Sequence, residues 1–142
     1  MAIGSWDVQV AIRDLLTLAP VADGRVFDAD ANISPDTRFP YVTLGASQIL
    51  GADMVGYSGS DEFLPLHIWD RANAEGGQRG KRNIKQIGDQ LHSLLNGKSI
   101  VVNGRPSAFM VMRDFNIIPD PDPLTAHAVL NLRVQHFSEK EL

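Results

Sequence analysis

The chain predicts an α+β fold, a mainly antiparallel β-sheet packed against two α-helices, on three observations. Apolar residues recur at helical spacing in two segments, one near the amino terminus and one around residues 81–95. Other stretches alternate apolar and polar residues between turn signals, most cleanly at 127–137. The 142 residues, 44% of them hydrophobic, suffice for one core, and no internal repeat or linker divides them. Residues 1–142 therefore read as one domain.

The first helix can be capped by Ser5, carries Asp7 in its first turn and is stopped by Pro20. Val8, Ala11, Ile12, Leu15 and Leu18 form its apolar stripe. A short strand is expected over Arg25–Phe27, then a polar, acidic surface loop over 28–39. Residues 40–50 read as one strand, and the glycine- and serine-rich 51–60 as a long connection. A second strand is expected over 62–70, where Pro65 lacks a backbone donor and so suits an edge, a bulge or an early position. After a second glycine-rich loop, 71–80, a helix runs from Lys81 to Leu95 with Ile84, Ile87, Leu91 and Leu94 buried, ending at Asn96-Gly97. Strands at 100–102 and 109–118 flank the turn Asn103-Gly104-Arg105-Pro106. The stiff, acidic 119–123 leads to a last strand in which Leu130, Leu132, Val134 and His136 oppose Val129, Asn131, Arg133 and Gln135.

Composition excludes several functions. The absence of cysteine removes disulfides, a thiolate nucleophile and thiolate metal sites. A net charge of −4 argues against a protein that coats nucleic acid, and mean hydropathy is −0.10. No secretory signal or membrane-length apolar run is visible. The charge is nevertheless segregated. Residues 1–70 hold ten acids and three bases, whereas 71–98 hold six bases and two acids, so a basic island interrupts an acidic chain.

No catalytic constellation emerges. Ala74–Arg82 precedes a helix as a phosphate loop would, but Glu75 stands where the first P-loop glycine belongs and Arg82 replaces the magnesium-binding hydroxyl. Ser58 lacks the closing glycine and the strand-to-helix context of a nucleophile elbow. His67, His92, His127 and His136 share no metal-binding spacing and read as isolated structural histidines. Asp28/Asp30 and Asp120/Asp122 lack the glycine and distal glutamate of a calcium loop. They read as solvated charges or as partners for the basic helix of a neighbouring subunit. Arg71, Arg79, Lys81, Arg82 and Lys85 could meet phosphates, but no aromatic interleaves with them to stack on bases. Trp6 and Trp69 read as core or interface anchors.

The order of segments is itself distinctive. Pro40-Tyr41-Val42-Thr43-Leu44-Gly45 leads through a glycine-rich stretch to His67-Ile68-Trp69-Asp70, then to the helix with Ile84, Ile87, Leu91 and Leu94, then to Leu130, Leu132 and Val134. This resembles the small tail-terminator, or tail-completion, proteins of long-tailed bacteriophages and gene transfer agents over most of the chain. Asp70 departs from the small hydroxyl residue expected there. The resemblance implies a structural virion protein, not an enzyme, without cofactor, metal or membrane association. It implies a hexameric ring at the head-proximal end of the tail, assembled in the host cytoplasm. Such a ring would contact the tail tube protein and the head connector or stopper, with DNA passing through its lumen without sequence-specific contact. The candidate contact residues are Asp28 and Asp30, Asp53 and Tyr57 in the 51–60 loop, and Arg71, Arg79, Lys81, Arg82 and Lys85. A head–tail adaptor or stopper, or a small nucleotide-binding enzyme using residues 76–82, are the alternatives.

Overall fold

The structure, a computed structural model, describes residues 5–28, 33–53, 55–72, 81–102, 105–122 and 124–139. Helix α1 (Ser5–Leu18) is followed by a 3-10 turn (Val21–Gly24), β1 (Val26–Asp28), β2 (Tyr41–Leu44), β3 (Gln48–Gly51) and β4 (Tyr57–Arg71). Then come α2 (Arg82–Leu95), β5 (Lys98–Val102), β6 (Arg105–Ile118) and β7 (Thr125–Glu139). The strands form one sheet in the order β1-β2-β4-β7-β6-β5, with β3 also beside β4. Pairing is antiparallel except between β1 and β2, which run parallel. α1 contacts both β1 and β5, the two ends of this order, so the sheet curls around its helices.

Alternation along most of β4 and β7 builds the core. Leu64, Leu66, Ile68, Leu130, Leu132 and Val134 point to the helix-covered face and are buried. Val8, Ile12 and Leu16 of α1 and Ile84, Ile87, Leu91 and Leu95 of α2 close over them. Each such side chain taken from water contributes about 1.5–3 kcal/mol before entropy is counted. α2 sits close because position 88 is glycine. A Cβ there would lie 2.7 Å from the ring of Phe115 in β6.

Several sequence expectations change in detail. Ser5 does not cap α1; its hydroxyl donates to Glu62 Oε1 of β4. The expected strand 40–50 is two, β2 and β3, both paired to β4 with one extra residue between them. Pro65 accounts for the break. Its carbonyl accepts from Gly45 N at 2.8 Å, so its missing N–H falls opposite the irregular step. β4 thus lies inside the sheet, and of the positions open to Pro65 the bulge is the one used. A Cβ on Gly45 would meet Pro65 Cγ at 2.9 Å and His67 Nε2 at 3.0 Å. Residues 57–60, expected in a loop, are the start of β4.

The end of α2 follows expectation. Gly97 takes a positive φ of 71° and its N–H donates to Met110 O at 2.8 Å. Asn96 Oδ1 accepts from Met112 N at 2.9 Å, so the carboxyl end of the helix is fastened to β6.

Candidate functional site

The basic island gathers at the amino end of α2. Ile84, Ile87, Leu91 and Leu95 fix which side of the helix faces the sheet, and that leaves Lys81, Arg82 and Lys85 exposed. No acid occupies the first turn. Three cations therefore add to the positive pole of the helix, an arrangement that raises local potential and costs stability unless an anion answers it. Asp70 positions this end. Its buried carboxylate accepts from Arg71 N at 2.8 Å and from Asn83 Nδ2 at 3.1 Å, tying β4 to α2. The departure from a small hydroxyl residue at this strand end thus has a use in helix placement.

The other candidate contact residues do not converge with these. Asp28 lies at the end of β1, where its carboxylate takes Arg13 Nη1 at 2.6 Å and Gln9 Nε2 at 2.8 Å from α1. Asp53 is exposed and accepts from Gly59 N at 3.0 Å, bracing the β3–β4 hairpin. Arg71 stands 3.4 Å from Asp122. The Asp122 carboxyl is held below its ordinary range by the Leu124 N–H, the Thr125 hydroxyl and then Arg71. Tyr57 opens β4 opposite Glu139. Asp30 and Arg79, with most of the 71–80 loop, lie outside the described residues.

The helix-free face carries a cluster that sequence reasoning missed. β4 and β7 pair Trp69 with His127 and His67 with Val129, and this register brings three rings together. His67 Nδ1 and His127 Nε2 are 2.9 Å apart, and the Trp69 ring stacks on His127 with centroids 3.7 Å apart and planes 8° apart. Two of the four histidines read as isolated, His67 and His127, are a hydrogen-bonded pair. Burial pushes both below the ordinary histidine range; for His127 the neighbouring His67 adds to this and Asp120 opposes it. The signal was present only as parity, since 67, 69 and 127 each point away from the buried series of their strands. The offset between strands 60 residues apart was not readable.

On the covered face, under the start of α1, lies a second polar group. Ser60, Glu62 and His136 are buried there, with Glu62 Oε2 and His136 Nε2 lacking hydrogen-bond partners. Burial lowers the His136 pKa, against the pull of Glu62 and Asp61. Among the described residues no group of three or more His, Cys, Asp or Glu could hold a metal ion. No helix of the described residues is long and apolar enough to cross a membrane.

The site is thus surface rather than pocket chemistry, a charged helix end and a ring-bearing sheet face. The sequence pattern of the tail completion protein gp17 family matches residues 7–136. The chain belongs to that family. Membership makes it a structural tail component of the phage or gene-transfer-agent type. Among solved structures, a chain from the virion of a native gene transfer agent particle superposes with a TM-score of 0.79 at 16% identity, covering 97% of this chain and 100% of that one. A second solved chain superposes with a TM-score of 0.62 at 10% identity, covering 97% and 98%. At these identities both establish the shared fold. No curated protein matches the sequence. The tail completion fold is therefore the α+β sheet-and-two-helix arrangement expected from the residues.

Proposed function

We propose that this tail completion protein is a tail terminator, a hexameric ring at the head-proximal end of the tail tube. The ring ends addition of tube protein and offers its other side to the head connector or stopper, while DNA passes through the lumen. The observation that carries this reading is the family match from residue 7 to residue 136, which takes in both helices and nearly the whole sheet. Physical features support it. Function is stoichiometric, by contact, and the chain's distinctive chemistry lies on its surfaces. Basic and acidic surfaces on different elements suit a cyclic assembly, in which each subunit uses two unlike patches.

The test is electron microscopy of tail tube protein polymerised with and without this protein. Tubes of limited length bearing a ring at one end are expected. Tubes that grow without limit and carry no ring would refute a terminator and leave an adaptor or stopper role.

A further inference from the structure

The helix-free face of the sheet is not uniform. Toward β3 it is charged, with Asp61, Arg113 and Arg133 among its side chains. At the other end the register lines up Tyr41, Trp69, His127 and Ile118, one each from β2, β4, β7 and β6. This row crosses about 14 Å of sheet at the usual strand spacing. It contains no Asp, Glu, Lys or Arg. The rings of Phe39 and Phe27 extend it, with centroids 5.1 and 6.1 Å from the Tyr41 ring. The rings are half-buried, Ile118 is exposed, and neither described helix covers them. An aromatic patch without charge, bordered by charge, has the composition of the centre of a protein interface.

A second apolar surface lies toward the far end of the same strand. Among the described residues β3 pairs only with β4, and its four residues are exposed and uncharged. It holds no lysine or proline, the residues that guard a free strand edge. Val55, in the turn between β3 and β4, is fully exposed. Asp53, the one acid of this hairpin, is turned back onto Gly59 N, so Ile49, Leu50 and Val55 dominate what the hairpin presents. Tyr57, where the hairpin enters β4, and Trp69 in the row are about 40 Å apart along the strand. The hairpin therefore cannot cover the row of its own chain.

We infer that the β3–β4 hairpin of one copy packs on the aromatic row of the next, with Leu50 and Val55 against Ile118 and the Trp69–His127 stack. The occupant is a second copy of this chain, and the inference rests on the ring proposed above. Each apolar surface then finds a cover that its own chain cannot supply. Because the two surfaces differ and lie toward opposite ends of the subunit, the contact is head-to-tail and repeats around a ring.

The chain has no cysteine, so disulfide trapping reads this contact without background. The chain carrying both Val55→Cys and Ile118→Cys is oxidised and separated under denaturing conditions. Covalent oligomers are expected up to the order of the ring found by native mass. Each single variant should stay monomeric, and an equimolar mixture of the two should stop at dimers. Val55→Glu and Ile118→Glu, both at exposed positions and checked for folding by circular dichroism, should each need at least about tenfold more protein for half-assembly. A double-cysteine chain that forms rings yet stays monomeric after oxidation overturns the inference. So does wild-type-like assembly by either glutamate variant. Val55→Glu rings that persist but no longer cap tubes would also overturn it, placing the hairpin against the tube protein instead. Absence of rings from tubes capped with wild-type protein refutes the terminator reading itself, whereas rings without the cross-link refute only this contact.

Discussion

The two faces of the sheet are built from the same strands and solve different problems. Along β4, residues 62, 64, 66, 68 and 70 are buried beneath the helices, while 61, 63, 65, 67 and 69 remain half-exposed. β7 divides likewise, with Leu130, Leu132 and Val134 inward and Asn131, Arg133 and Gln135 outward. The covered face holds the fold together through dry packing. The open face is held by lateral contacts between neighbouring side chains: Arg133 to Asp61 at 3.0 and 3.2 Å, Arg113 over the Phe63 ring at 5.0 Å, and the His67–His127–Trp69 stack. Stability therefore depends on one face far more than on the other, which leaves the second free to vary in chemistry.

Truncation on the covered side should break this most severely. Leu132→Ala, at a fully buried position between Leu64 and Met112, is expected to cost about 2–5 kcal/mol, read as a lowered urea midpoint. A loss under about 1 kcal/mol, below the range for Leu→Ala truncations in a packed core, would mean that the covered face is not tightly packed.

The histidines give an intermediate, pH-dependent effect. Folding lowers the pKa of His67, His127 and His136, so the unfolded chain binds more protons once the pH falls below the ordinary value of 6.5. Stability should thus be full above that pH and fall progressively below it. Asp61 acts in the same sense but only below its ordinary value of 3.8, outside this window. Urea midpoints between neutral and mildly acid pH should drop, and His67→Gln with His127→Gln should flatten the drop, leaving the His136 share. An unchanged slope in the double variant would show that the pair titrates as free histidines do.

The smallest effect belongs to the ion pair. Arg133→Ala should shift the midpoint less than either change above, and the difference should shrink further at high salt. A shift rivalling that of Leu132→Ala would mean that the open face carries the fold as well.

Sequence periodicity revealed what depends on neighbours along one element. The inward series of β7, most of the buried stripe of α2 and its stop at Asn96-Gly97 are local patterns and appear as expected. Leu95 in place of Leu94 completes the α2 stripe, and in α1 Leu16 is buried whereas Leu18, expected in the stripe, is exposed at the helix end. What depends on register did not show. The 40–50 strand divides because Pro65, on a different strand, meets it without a donor. Asp28 is engaged because α1 lays Arg13 beside it. Glu62 sits in the core against Ser5, where a carboxylate in an alternating strand would be assigned to solvent. Of the nine candidate contact residues, three are brought together at the start of α2, and their basic character was legible because charge clusters in sequence as well as in space.

The fastening of α2 has a mechanical consequence. Asp70 of β4 holds its first turn through Asn83, and Met110 and Met112 of β6 hold its last through Gly97 and Asn96. β7 lies between those two strands. The helix is thus a strut pinned at both ends across three strands, and tilting it would shear their pairing. A push or pull on its charged end is shared by the whole sheet, so the bearing surface keeps its heading under load.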